Sequence, residues 1–168
     1  MKPVGSLSWT PGQTSYIFRV AHGDYPIHDY YGKEITDYEL PDYQHGEIRS
    51  FAPYPQKTGI EFSLDTVLQE YPFFGSGDFR ASALRLEWRG NQTTLFKYSG
   101  FRIFAGRAVL KELPCSRADS RTETLEVTLE DKASGCVLKL YYTLFPDTDM
   151  IAKHAVLQNR GTESVRIY

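Results

Sequence analysis

The chain has 168 residues, enough for about one domain with a single hydrophobic core. Hydrophobic residues make up 41% of it and charged residues 24%, a balance that excludes wholesale disorder. The formal net charge is -2 and the lysines and arginines are scattered, so the charge pattern does not favour nucleic-acid binding.

Export and membrane insertion are also not expected. The first residues, "MKPVGSLSW", contain one lysine but no apolar h-region, so they do not predict a secretory signal. No window approaches the roughly 18 apolar residues that span a bilayer. We therefore expect a cytoplasmic protein in which Cys115 and Cys136, which lack CxxC spacing, are reduced thiols.

Apolar and polar residues alternate with period two through most of the chain, which predicts β-strands. The strands form four predicted hairpins, each around a glycine turn: 14–20 with 27–35, 83–88 with 93–99, 125–129 with 136–145, and 150–159 with 163–168. No stretch predicts an amphipathic helix. The sequence thus indicates an all-β fold, an antiparallel β-sandwich or barrel. Its 14% aromatic content suits both a half-buried sheet and a binding surface.

Two regions, 38–57 and 73–80, do not follow this alternation. Residues 38–57 hold three prolines and many polar residues, and predict a long surface loop of the kind that is usually functional or mobile. Residues 65–71, "DTVLQEY", favour a strand end over a helical turn because of their β-branched residues and the proline that follows. The last residues, "VRIY", look like a strand in progress, so we expect the chain to be the front part of a longer protein.

The segment 68–80, "LQEYPFFGSGDFR", places acids among aromatic rings around a glycine loop. Glu70 and Asp78 border this loop, and a pair of carboxylates is what glycoside hydrolysis usually needs. The alternative is a packed structural turn in which Asp78 and Arg80 pair locally, and a bare acid pair is more often of this kind.

Other catalytic or cofactor motifs are not recognisable. The four histidines, His22, His28, His45 and His154, lack metal-like spacing, and His154 fits a sheet position, so we expect no metal site. A GxSxG elbow and glycine-rich phosphate loops are missing, so we expect no cofactor.

The segment 62–80, "FSLDTVLQEYPFFGSGDFR", resembles the N-terminal region of bacterial α-galactosidases of glycoside hydrolase family 36. The resemblance continues through "IHDYYGKEI", "FKYSGFRIFAG", the segment 113–151 and "LQNRGTESVRIY". It implies that residues 1–168 are an incomplete part of an N-terminal β-supersandwich, followed by a catalytic barrel. It further implies a retaining hydrolase whose two catalytic aspartates lie on that barrel, so that this chain carries no catalytic residue and is inactive.

The resemblance also implies a homo-tetramer in which a loop of one subunit reaches the sugar pocket of its neighbour, with α-galactosides such as melibiose or raffinose as substrates. The matching loop is 44–55, which contains Phe51. An acid of related enzymes aligns with Ile48, and the nearest acid is Glu47. Either Glu47 replaces that acid through a one-residue shift of the loop, or the contact is lost, because an isoleucine side chain cannot accept a hydrogen bond from a sugar hydroxyl.

Under the same resemblance, Glu70, Tyr71, Asp78, Phe79 and Arg80 are structural and interface residues where the sandwich meets the barrel. Two other functions remain open from the residues alone. One is a self-contained carbohydrate-binding β-sandwich that uses tyrosine and phenylalanine rings. The other is a structural module whose partner is protein.

Overall fold

The computed structural model describes residues 6–9, 14–36, 62–110, 113–114, 116–118 and 120–168. Its strands are β1 (Ser6–Trp9), β2 (Thr14–Ala21), β3 (Tyr25–Lys33), β4 (Leu86–Glu87), β5 (Lys97–Ala105), β6 (Glu123–Asp131), β7 (Cys136–Phe145), β8 (Met150–Asn159) and β9 (Arg166–Ile167). All strand pairs are antiparallel. One 3₁₀ turn, Leu64–Thr66, is the sole helical element of the described residues. The predicted all-β antiparallel fold is confirmed.

The largest sheet has the strand order β5-β6-β7-β8. Strand β6 alternates as predicted, with Leu125, Val127 and Leu129 buried in the core. A tight turn joins β6 to β7, and Asp131 stabilises it by accepting hydrogen bonds from the Ala133 amide and the Ser134 hydroxyl. The predicted hairpin 125–129 with 136–145 is therefore confirmed.

A second sheet has the order β1-β2-β3. Strands β2 and β3 form the predicted hairpin of 14–20 with 27–35, with a bulge between Ile17 and Phe18. The turn between them contains His22 and Gly23, both with positive φ. A tight hairpin turn needs such left-handed residues because they match the twist of its strands.

The hydrophobic core lies between these two sheets. Phe18 of β2 stacks on Tyr142 of β7 with ring centroids 5.4 Å apart, which joins the layers directly. Side chains of the segment between β3 and β5 fill the same cluster, among them Leu64 and Phe96, which are fully buried. The segment that carries the glycine loop therefore contributes side chains to the core.

Two predicted hairpins are wrong. A tight turn does form at Arg89–Gly90, but the strand before it, β4, pairs with the distant β9. The chain after the turn instead approaches the glycine loop, where the Thr94 amide donates to the Phe74 carbonyl at 3.2 Å. The predicted pairing of 83–88 with 93–99 is therefore replaced by contacts between residues far apart in sequence.

The predicted hairpin of 150–159 with 163–168 is wrong because its two strands pair with other strands. Strand β8 pairs with β7, and the chain then bends away at Asn159. The Asn159 side chain donates to the Glu163 carbonyl at 2.7 Å and accepts from the Gly161 amide at 3.0 Å, which stabilises the bend. This bend directs β9 towards β4. The predicted strand end at 65–71 is likewise a 3₁₀ turn followed by a single bridge between Gln69 and Ile27.

Candidate functional site: two buried carboxylates

The first carboxylate is that of Glu70, whose side chain is 1% exposed. Its amide donates to the Pro26 carbonyl at 3.0 Å, which holds the residue beside β3. Four donors surround the carboxylate: the Tyr16 and Tyr142 hydroxyls at 2.7 Å, Lys153 Nζ at 2.8 Å and His28 Nδ1 at 3.0 Å. These donors come from β2, β3, β7 and β8, so Glu70 connects both sheets.

Burial alone raises the pKa of Glu70, because it penalises the charged form. The hydrogen bonds from His28, Lys153 and Tyr16 and the charge of Lys153 outweigh that effect, and the pKa falls to about 2. Burial and the adjacent carboxylate raise the pKa of the Tyr16 and Tyr142 hydroxyls. At neutral pH the centre is therefore an ionised carboxylate that accepts from protonated phenols. A carboxylate so occupied is poorly suited to act as an acid, base or nucleophile.

The second carboxylate is that of Asp78, in the glycine loop. Its amide and carbonyl both bond to Gly75, at 3.0 and 2.8 Å, and close a tight turn. Gly75, Ser76 and Gly77 all have positive φ, which explains the two glycines of the motif. A Cβ on Gly75 would lie 2.7 Å from the Thr93 methyl group, so that position also needs glycine for space.

The Asp78 side chain fastens this turn to the 3₁₀ segment. It accepts hydrogen bonds from Arg80 Nε at 2.9 Å, Arg80 Nη2 at 2.7 Å and Gln69 Nε2 at 2.7 Å. Arg80 Nη2 also donates to the Leu64 and Val67 carbonyls, at 3.0 and 3.2 Å. Burial raises the pKa of Asp78, but the bonds from Arg80 and Gln69 lower it by more. Asp78 and Arg80 therefore form a local ion pair that orders the loop.

Glu70 and Asp78 belong to different hydrogen-bond networks: Glu70 accepts from residues of four strands, whereas Asp78 accepts from Arg80 and Gln69. Each network is saturated with protein donors. A glycosidase pair instead flanks open space for a sugar. This arrangement fits a stabilising role for both carboxylates.

The rim of the glycine loop is exposed and aromatic. Phe79 is 62% exposed and contacts Phe74 edge to face, with ring centroids 5.6 Å apart. The Arg85 guanidinium lies 4.8 Å above the Phe74 ring. Tyr71 is half-buried beside the loop, and its hydroxyl donates to the Ala83 carbonyl at 3.4 Å. Large exposed rings of this kind are typical of a contact surface.

The remaining predicted residues have these positions. Glu47, Ile48 and Phe51 lie outside the described residues, as do His45 and Cys115. His154 stacks on Tyr141 in the sheet, with ring centroids 4.7 Å apart, and burial lowers its pKa. Within the described part of the chain, no cluster of three or more His, Cys, Asp or Glu side chains is placed to hold a metal ion. No helix of the described residues could cross a membrane.

Sequence reasoning missed most of the Glu70 centre. Tyr16, His28, Tyr142 and Lys153 lie 42 to 83 positions from Glu70 along the chain. One signal was available: Lys153 occupies an inward position of β8, between apolar Ile151 and Ala155. A charged residue at such a position implies a buried partner.

Comparison with known proteins identifies related sequences and folds. Residues 24–168 match the family described as "Glycosyl hydrolase family 36 N-terminal domain". The α-galactosidase AgaA of Geobacillus stearothermophilus is 33% identical over 159 residues, which cover 93% of this chain and 22% of AgaA. The α-galactosidase Mel36A of Lactobacillus acidophilus is 31% identical over 157 residues, which cover 91% of this chain and 21% of Mel36A.

Solved structures agree with the sequence comparison. A crystal structure of AgaA superposes with a TM-score of 0.91 at 32% identity, covering 97% of this chain and 23% of that one. A variant of AgaA in complex with raffinose superposes with a TM-score of 0.88. The chain thus spans a little more than a fifth of the length of these relatives, at their N-terminal part.

Proposed function

Because this chain belongs to the family of N-terminal domains of glycoside hydrolase family 36, we propose that it serves a retaining α-galactosidase as a scaffold. The observation that carries the proposal is the family match over 24–168. The two saturated carboxylate networks support it, since they fit a structural role. The catalytic residues belong to a downstream barrel, and the 168-residue chain alone is inactive.

The downstream barrel is the first partner of the chain in this proposal. Exposed apolar side chains offer a surface for it. Phe101 and Ile103 of β5 are each 52% exposed, although they pair with Val127 and Leu125 and so face the core side of the sheet. Together with Phe79 on the glycine loop, these side chains favour burial against another part of the protein. In this proposal Glu70, Tyr71, Asp78 and Arg80 are structural and interface residues of the contact with the barrel.

The assembled enzyme acts in the cytoplasm as a homo-oligomer on terminal α-galactosides such as melibiose and raffinose. Support for the substrate class comes from AgaA, a relative solved with raffinose. We extend the proposal to the loop 44–55, which contacts the sugar bound by the neighbouring subunit. Either Glu47 makes this contact, or the contact is lost because Ile48 occupies the aligned position; Phe51 belongs to the same loop. Glu47→Gln in the assembled enzyme should then raise KM for raffinose while kcat changes less.

The proposal is tested by assaying the full-length protein and the isolated chain 1–168 on p-nitrophenyl α-galactoside and melibiose. The full-length protein should release galactose with retained α configuration, seen by proton NMR within the first turnovers. The isolated chain should release none, with circular dichroism establishing that it contains folded β-structure. Turnover by the folded isolated chain, or inversion by the full-length protein, would contradict the proposal.

A further inference from the structure

A groove of about 490 Å³ shares no lining residue with the two carboxylate centres. Three segments meet there: the β2–β3 turn, the start of β5 and the β6–β7 turn. The Tyr98 amide donates to the Asp24 carbonyl at 2.7 Å and joins the first two segments. The groove is lined by Asp24, Leu95, Lys97, Tyr98, Ser99, Glu130, Asp131, Lys132 and Ala133. Its volume is within the range of small-molecule sites, roughly 300–1,000 Å³.

A bulge in β5 forms one wall of the groove. The register between β5 and β6 shifts between Tyr98 and Gly100, which leaves Ser99 unpaired at the groove. Bulges of this kind redirect a side chain and occur often beside functional sites. Beside Ser99, the Tyr98 ring is half-buried against the core, and burial raises the pKa of its hydroxyl.

The groove combines paired and available polar groups. Lys97 Nζ and the Asp24 carboxylate form an ion pair at 2.7 Å, half-exposed at the groove. The side chains of Ser99, Glu130 and Lys132 make no hydrogen bond or ion pair to any residue that the structure describes. These groups therefore offer both donors and acceptors to a ligand.

The charge balance selects among ligand classes. The partly exposed carboxylates of Asp24 and Glu130 balance the ammonium groups of Lys97 and Lys132. The Asp131 carboxylate is buried and occupied by the turn, so the groove has no excess of positive charge. Such a groove does not attract phosphates or other anions. Neutral polyhydroxylated ligands suit it, because vicinal hydroxyls both donate to carboxylates and accept from ammonium groups.

We propose that this groove is an accessory carbohydrate-binding site for neutral oligosaccharides, in which Ser99, Glu130 and Lys132 contact the sugar. The proposal rests on the proposed function, since it takes an α-galactoside as the ligand class. It places a second sugar site on the N-terminal domain, separate from the catalytic barrel. In this site Glu130 and Lys132 form hydrogen bonds with sugar hydroxyls. The Lys97–Asp24 ion pair lies beside them in the groove.

Hydrogen–deuterium exchange of the full-length protein tests this site, with raffinose as the probe, labelling times short compared with its hydrolysis, and sorbitol at equal concentration as the control. Raffinose should slow amide exchange in peptides that cover 95–99 and 130–135, by about tenfold at a concentration ten times the Kd. Sorbitol should leave these peptides unchanged. Absence of protection there at saturating raffinose would overturn the proposal.

A matched pair of variants separates the groove from general effects on the sheet. Glu130 and Glu123 lie at opposite ends of β6, and only Glu130 lines the groove. Glu130→Gln should weaken raffinose protection of 130–135 by about tenfold in Kd, whereas Glu123→Gln should not. Equal protection in both variants would also overturn the proposal.

Activity distinguishes failure of this proposal from failure of the proposed function. The unmodified full-length protein and Glu123→Gln, whose side chain lies outside the groove, should both hydrolyse p-nitrophenyl α-galactoside. Hydrolysis without groove protection would reject the accessory site alone. A full-length protein that neither hydrolyses α-galactosides nor shows protection would reject both.

Discussion

The Glu70 centre should make a large contribution to stability, and Glu70→Gln is the sharpest perturbation of it. Glutamine keeps the size of the side chain but removes its charge and replaces one carboxylate oxygen by an NH₂ group. In the native centre both oxygens accept, from Tyr16 and His28 on one side and from Tyr16, Tyr142 and Lys153 on the other. The NH₂ group must therefore face at least one donor, and Lys153 loses its counter-charge.

The expected loss follows from these contacts. Removing one partner of a buried, hydrogen-bonded charge pair costs about 3–5 kcal/mol in the free energy of unfolding. Since 1 kcal/mol lowers Tm by roughly 2–4 °C in proteins of about 150–250 residues, Tm should fall by about 6–20 °C. Tyr142→Phe should cost less, about 1–2 kcal/mol, because it removes one donor and leaves the carboxylate with its other partners.

Urea unfolding followed by fluorescence, together with thermal melts, measures both variants. Glu163→Gln is the control, because Glu163 pairs with Arg89 at the solvent-exposed surface and its loss should leave Tm unchanged. If Glu70→Gln melts with the unmodified protein, the centre does not hold the two sheets together. The reasoning also fails if Tyr142→Phe costs as much as Glu70→Gln.

Three further predictions concern the same two networks. Folding lowers the pKa of Glu70 from 4.5 to about 2, which stabilises the folded state by about 3 kcal/mol. This stabilisation is present above pH 4.5 and is lost as the pH falls towards 2. Glu70→Gln should therefore flatten this part of a plot of unfolding free energy against pH. Asp78→Ala in the full-length enzyme should lower stability by about 2–4 kcal/mol or weaken assembly, and affect the chemical step less; normal melting and assembly with collapsed turnover would contradict this. Gly75→Ala should destabilise more than Gly90→Ala, since both residues have positive φ but only the new methyl group at Gly75 meets Thr93, as urea midpoints will show.

Local patterns in the sequence predict several elements of this protein correctly. Strands β6 and β7 were predictable because apolar residues alternate on both sides of a four-residue turn, and such a hairpin is specified by neighbours in sequence. The glycine loop was also predictable as a tight turn, since glycines tolerate its positive φ values. The pairing of Asp78 with Arg80, two residues apart, was weighed from sequence as a local ion pair, and the structure contains that pair.

The errors concern strands whose partners are remote. The sequence predicts β4 as half of a hairpin because a tight turn follows it, but its partner is β9, about 80 residues later. Strand β8 reads as paired with the segment after it, but the Asn159 bend turns that segment away. Alternation tells which face of a strand is apolar, and does not tell which strand lies beside it.

By itself the sequence determined the all-β class, the hairpins β2–β3 and β6–β7, and the tight loop around Asp78, because each depends on residues close together in the chain. Tertiary structure alone decided the role of Glu70: its carboxylate is held by side chains from four strands, among them Tyr16 and Lys153, 137 positions apart. The free energy of a buried charge depends on every donor around it. Those donors meet only once the sheets have packed.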